Sequence, residues 1–431
     1  VFPADDEKYE KIYLGILPDT LVWRKSLGNT DLLSENYLRH PAFSDYPVVG
    51  VSWLQANQYC KWRTDAVNLK KLIDKGYISN IFQNDTIRNF FDTEVFLADS
   101  DRLFDGDTTV YKRGIRTRGT VKGTRSSFQG RKITQADGIL QQKFRLPTEA
   151  EWEFAAKANI ENREYNNIKG RKKYAWDGKY SRETKKRFKG DQLANFKQGK
   201  GNYSGISGWS SDGSDIPIRV KSYPPNAFGL YDMSGNVSEW VADVYRPNID
   251  NEANDFNYYR GNVFTQKMID KEGKVVIAGS STEAQVDYET LPNGKINPKQ
   301  LPGSIKYAPI SKKDIGIRTN FTSSDNSDIG DGDLNSSRFY EDDEDAFASR
   351  PAMYNSPDQN IPEDDQKRTT LISNKTRVYK GGSWADREYW LDPAQRRYLP
   401  QYMATNDIGF RCVTDMLGMS NKKRTARNPS R

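Results

Sequence analysis

Two cysteines and one histidine in 431 residues leave this chain with few of the side chains that enzymes usually depend on. Cys60, Cys412 and His40 cannot complete a Cys/His zinc site, and no Ser-His-Asp or Cys-His centre is expected on the lone His40. His40 lies in Arg39-His40-Pro41-Ala42-Phe43, beside a proline and before an aromatic, and reads as structural. No run of about 20 apolar residues occurs, so no segment reads as a membrane-spanning helix. The chain starts at Val1-Phe2-Pro3 with neither an initiator methionine nor an apolar leader. The expectation is a fragment of a longer precursor, with any leader or lipid site upstream.

Aromatic residues are abundant. Nine Trp, 24 Tyr and 19 Phe supply large buried areas and argue for a folded chain despite a mean hydropathy of −0.85. The length suits one large domain or a few average ones. The net charge of +7 is unevenly spread. Residues 111–132 hold eight basic and no acidic side chains, whereas residues 324–365 hold thirteen acidic and two basic. The last ten residues are basic again. No recognisable nucleic-acid module or interleaving of aromatics accompanies these basic tracts, so no nucleic-acid partner is expected. They read as solvated faces or as patches that meet a partner protein.

Four islands carry dense structural signals. In residues 46–68, Val48, Val49 and Val51 predict a short strand, and Ser52 with Gln55 predicts a capping box. Trp53, Ala56, Tyr59, Cys60, Arg63 and Val67 then recur at helical spacing. In residues 144–158, Thr148 caps with Glu151, and Trp152, Ala155 and Ala156 form an apolar stripe. The third island, 226–245, is rich in turns and aromatics. The fourth, 377–412, contains Gly381-Gly382-Ser383 and ends in Gly409-Phe410-Arg411-Cys412. Long tracts of different composition, 69–143 and 246–376, separate these islands. In the second tract, Glu272-Gly273 and Asn293-Gly294 flank alternating stretches that read as hairpins. Residues 322–368 read as acidic loop or disorder.

These islands, in this order, resemble the signatures of the formylglycine-generating (sulfatase-modifying) enzyme family. The matching residues are Val48–Trp62, Arg145–Ala155, Asn226–Trp240 and Arg377–Cys412. The resemblance implies an α+β, C-type-lectin-like fold with little regular structure, here carrying two large insertions at 69–143 and 246–376. One domain would cover residues 1–417, its start truncated, and residues 418–431 would form a basic tail. The segments 17–24, 37–51 and 61–68 are also similar to the gliding-motility lipoproteins of Bacteroidetes. That likeness implies a lipid-anchored periplasmic subunit at the outer membrane, serving gliding and type IX secretion. Its implied partners are other subunits of that machinery, with a ring of GldK and GldN foremost.

In the enzyme family, Gly-Gly-Ser leads to two redox-active cysteines that bind copper. Counting from Ser383, those positions hold Asp386 and Leu391, and a carboxylate with an isobutyl group cannot hold Cu(I). Ser383, Asp386 and Leu391 are therefore expected to be vestigial, with no copper and no catalysis. Ser238 also stands where the family has a tryptophan two residues before Trp240. By the same resemblance, Cys60 and Cys412 occupy the positions of a family disulfide, which suits an oxidising compartment. Structural calcium would be held at a first site by Asp232 and Glu239 side chains with Gly235 and Val237 carbonyls. A second would use Asn195 and Asp212 with Phe196 and Ser214 carbonyls. The rival readings are a diverged oxidase using Asp386 and Ser383, and a lectin-like ligand-binding module.

Overall fold

The longest helix begins where the capping signal places it, and it runs further than the periodicity suggests. The computed structural model describes residues 13–24, 31–80, 91–112, 114, 131–159, 172–197, 216–245, 265–278, 287–300, 303–309 and 375–415. A short helix α1 (Asp31–Asn36) precedes α2 (Trp53–Asp74), followed by α3 (Thr93–Asp99) and α4 (Glu149–Lys157). The strands are β1 (Phe144–Arg145), β2 (Ser238–Val244), β3 (Thr265–Lys267), β4 (Asp287–Thr290) and β5 (Ile296–Gln300). They continue with β6 (Tyr307–Pro309), β7 (Thr376–Lys380), β8 (Arg397–Pro400), β9 (Ile408–Phe410) and β10 (Val413–Thr414). Among the described residues, no helix is long and apolar enough to cross a membrane.

Both predicted capping boxes are present. The Ser52 hydroxyl accepts from Gln55 N at 3.3 Å, and the Gln55 side chain accepts from Ser52 N at 2.9 Å. Thr148 and Glu151 exchange the same pair of bonds at the start of α4. Each box satisfies backbone donors that a helix start leaves without partners. The expected strand at Val48–Val51 does not form. This stretch is held by isolated bonds from Asp19 N to Gly50 O and from Gly50 N to Thr405 O, not by a ladder.

A four-stranded sheet, in the order β8-β7-β2-β9, forms the centre. β2 is antiparallel to β7 and parallel to β9, and it is buried along nearly its whole length. Ala56 and Cys60 of α2 pack on one side with Leu146, Trp240 and Ile408. Trp152 and Ala156 of α4 pack with Met233, Val241 and Val378. The buried face of α2 is Ala56, Cys60, Thr64, Asn68, Leu69 and Leu72, while Tyr59 and Arg63 face outward. The expected face is thus rotated, and the reason is polar. Thr64 Oγ donates to Cys60 O and accepts from Phe144 N, and the Asn68 amide pairs with the backbone of Gln141.

The expected insertion boundary at residue 69 falls inside α2. The second half of the helix supplies Leu69 and Leu72 to a separate core with Ile78, Val95, Phe96 and Val110. Ile305 belongs to the same core, with Val275 and Ile277 packed against it. The two insertions therefore share one hydrophobic centre instead of standing apart. The turns at Glu272-Gly273 and Asn293-Gly294 are present, the latter joining β4 to β5. Most of the basic tract 111–132, the acidic tract 322–368 and the tail 418–431 lie outside the described residues.

Candidate functional site

The sheet gathers Ser383, Arg397, Ser238 and Asp407 around Asp386 at one end of four neighbouring strands. β7 runs into Gly381 and Gly382, which turn the chain sharply. Gly382 has φ +67°, and a Cβ there would meet Trp390 O at 2.8 Å, so only glycine fits. The turn delivers Ser383, which is fully buried, and then Asp386. Ser383 N and Oγ both donate to Asp386 Oδ2, at 2.9 and 2.6 Å. On β8, Arg397 lies opposite Tyr379 of β7 and grips Asp386 with both guanidinium nitrogens, each at 2.6 Å. The same guanidinium donates to Ser238 Oγ at 2.7 Å, from the first residue of β2. The rings of Tyr379 and Trp390 lie 4.7 Å from it.

Four donors from Arg397 and Ser383 thus converge on one carboxylate, and the pair is nearly buried. Burial opposes the charge on Arg397, but the hydrogen bonds and charge of Asp386 outweigh it and raise the guanidinium pKa. Asp407, just before β9, is 3.2 Å from Ser383 Oγ. Ser383 has one hydroxyl hydrogen, and its shorter contact directs that hydrogen to Asp386. Asp407 therefore receives the weaker share of that hydrogen. Its pKa is raised by burial and by the neighbouring Asp386 charge, against the lowering effect of Thr405. The second thiol position, Leu391, is fully buried against Tyr174, Ala194 and Phe196. One position is thus closed by an ion pair and the other has become core.

The first calcium set is also engaged internally. Both Glu239 oxygens accept from Arg411, and Trp152 Nε1 donates to Glu239 Oε2 at 2.8 Å. Asp232 accepts from Lys221 N at 3.0 Å, and burial, with help from Glu239, raises its pKa. Gly235 has φ +91° and packs where a Cβ would lie 2.7 Å from Asn195 O, which positions the turn that ends at Val237. The guanidinium of Arg411 supplies the positive charge that a cation would bring, so the donor set as arranged does not fit a calcium ion. Among the described residues, no three His, Cys, Asp or Glu side chains are grouped to hold a metal. Asn195 and Phe196 of the second set are buried, and the Asn195 amide donates to Ile216 O at 3.0 Å. Asp212 and Ser214 lie outside the described residues.

Cys60 and Cys412 are brought together, their sulfurs 3.2 Å apart, and both are thiols in this structure. The Cys412 pKa is lowered, first by the hydrogen bond from Cys60 and then by Arg63, against desolvation, while that of Cys60 is raised. His40 caps a turn, its Nδ1 accepting from Ala42 N at 3.1 Å.

Sequence reasoning missed Arg397, Arg411 and a buried charge cluster beneath the sheet. There Lys380 lies 3.2 Å from Glu149 and 3.4 Å from Glu153, and Arg396 reaches Glu149 at 2.6 Å. Lys380 was detectable: Thr376, Val378 and Lys380 alternate inward along β7, and an inward lysine requires a buried acid.

The chain belongs to the family described as the sulfatase-modifying factor enzyme 1-like domain, whose model matches residues 16–289. It has the α+β fold of that family, low in regular structure. It is 36% identical over 99 residues to the formylglycine-generating enzyme of Mus musculus, covering 23% of this chain and 22% of that protein. It is 35% identical over 107 residues to the inactive C-alpha-formylglycine-generating enzyme 2 of Mus musculus, covering 24% and 27%. The chain thus spans about a quarter of the length of the curated relatives it matches. Active and inactive members are both among them. Among solved structures, CarF aligns with 88% of this chain and 70% of its own, at 16% identity and a TM-score of 0.29. The Treponema denticola variable protein 1 aligns with 63% and 47%, at 20% identity and a TM-score of 0.23.

Proposed function

We propose that this chain is a non-catalytic structural member of its family, a periplasmic lipoprotein subunit of the gliding and type IX secretion machinery. The observation that supports it is the Asp386–Arg397 pair. Where the family's chemistry needs two thiolates, this chain has a carboxylate saturated by an arginine and a leucine in the core. Neither group cycles between redox states or holds a soft metal. The relatives include members named inactive, which is compatible with loss of the reaction on a retained fold.

The finer assignment rests on the likeness to gliding-motility lipoproteins, nearer to GldJ than to its paralogue GldK. Tyr59-Cys60-Lys61-Trp62 and the basic C-terminus carry that choice. On this reading the protein is held at the outer membrane through an upstream lipid and assembles with GldK, GldN and related subunits. Co-purification from native membranes tests it: the secretion subunits should be recovered with the tagged protein. A Cu(I) titration should meanwhile show no stoichiometric binding. Recovery of none of those subunits, or one tightly bound copper per chain, would overturn the proposal.

A further inference from the structure

The segment Lys179 to Lys189 reads Lys-Tyr-Ser-Arg-Glu-Thr-Lys-Lys-Arg-Phe-Lys, six basic side chains against one acidic, Glu183. Backbone bonds hold it as an ordered loop, with Glu183 N to Asp191 O at 2.8 Å and Leu193 N to Ser181 O at 3.0 Å. Arg182 donates to Gly190 O at 2.5 Å. Lys185, itself exposed, reaches the half-buried Glu183 at 3.6 Å, and Arg187 lies over the Phe188 ring. Lys179, Lys186 and Lys189 have no ion-pair partner among the described residues.

This loop borders a cleft of about 470 Å³ walled by Trp176, Tyr180, Pro224 and Pro225. Trp176 is held in place, stacked on Tyr174 at 4.7 Å with its indole N–H donated to Tyr180 O. Tyr180 and Phe188 are largely exposed. Rigid aromatic walls beside free cations suit a ligand that is both acidic and aromatic. Asp177 and Glu183 also line the cleft. Asp177 is paired with Lys172 at 3.1 Å and Glu183 accepts from Thr184 N and Lys185 N, so neither presents a bare negative charge to an acidic peptide.

We propose that this cleft and its basic rim form a docking site for an acidic, aromatic-bearing peptide segment of a partner protein. The site is separate from the Asp386–Arg397 pocket and stands whether or not that pocket is catalytic. The chain itself contains a sequence of the required kind, Phe-Tyr-Glu-Asp-Asp-Glu-Asp-Ala-Phe at 339–347, which serves as a probe.

The test is fluorescence anisotropy of that labelled nonapeptide with the full chain. Saturable binding is expected, weakening as salt is added. The peptide with its five acids changed to amides should bind at least about tenfold more weakly. So should the triple variant Lys186→Gln, Arg187→Gln and Lys189→Gln, whose side chains are exposed and whose melting temperature should not change. Tyr180→Ala should also weaken binding, locating it in the cleft. Absent binding, equal affinity for the amide peptide, or no effect of the variants would overturn the proposal. A single-stranded oligonucleotide that bound more tightly than the acidic peptide would replace it with a nucleic-acid site.

Discussion

Arg397 holds Asp386 by both carboxylate oxygens at 2.6 Å, eleven residues apart in sequence and joined across the edge of the central sheet. The pair is nearly buried, so removing one partner leaves the other desolvated and unmatched. Asp386→Leu or Arg397→Met alone should destabilise the protein by about 3–5 kcal/mol. Changing both together to Leu and Met should cost much less than the sum, because two apolar groups leave no orphan charge. Denaturant melts of the four proteins in the cycle measure this. Strict additivity would show that the two side chains are not coupled.

The sulfurs of Cys60 and Cys412 lie 3.2 Å apart, so an oxidant that accepts two electrons and two protons joins them as a disulfide with little movement. Oxidised protein, denatured without reductant, should offer no thiol to a labelling reagent. The bond would close a loop between positions 352 apart, worth at most about 5–6 kcal/mol on chain-entropy grounds. Reductant should lower the melting temperature accordingly. Two labels per chain in protein taken from an oxidising compartment would contradict the pairing.

Calcium should have no effect on thermal stability, since Arg411 already satisfies Glu239. Melts in calcium and in chelator should superimpose, while Arg411→Met should lower the melting temperature in both. A calcium-dependent rise in wild-type stability would show that the ion displaces the guanidinium.

Asp65 gives a pH signature. Burial raises its carboxyl to about 6, against the hydrogen bonds from Thr93. A carboxyl whose pKa rises on folding favours the folded state when protonated. Its contribution is therefore lost as pH climbs from about 4 through about 6. Asp65→Asn keeps an acceptor for Thr93 N, bonded at 2.8 Å, and removes the ionisation. The variant should match wild type near pH 4 and exceed it above pH 6 in urea midpoint. Parallel curves across that range would contradict this.

What the sequence made legible was local. The two capping boxes lie within three residues of their partners, and the replaced thiol positions follow by counting from Gly381-Gly382-Ser383. Contacts made across the sequence were not legible. Thr64 and Asn68 look like solvent-facing residues until Phe144 and Gln141 arrive to bond them. Arg397 looks like any surface arginine until the register of β7 with β8 sets it over Asp386. Val48–Val51 has strand composition, yet its bonds go to Asp19 and Thr405, so composition alone misled. The shared core of the two insertions was hidden for the same reason, since Ile305 joins Leu72 in one core only in the folded chain.

The central claim is that residue 386 serves structure and not chemistry. The most direct test is complementation by the double variant Asp386→Leu with Arg397→Met, scored for secretion and motility alongside its folded level in the membrane. The account predicts a folded protein with wild-type function. A double variant that folds and accumulates normally, yet supports neither process, would contradict it and return Asp386 to a catalytic role.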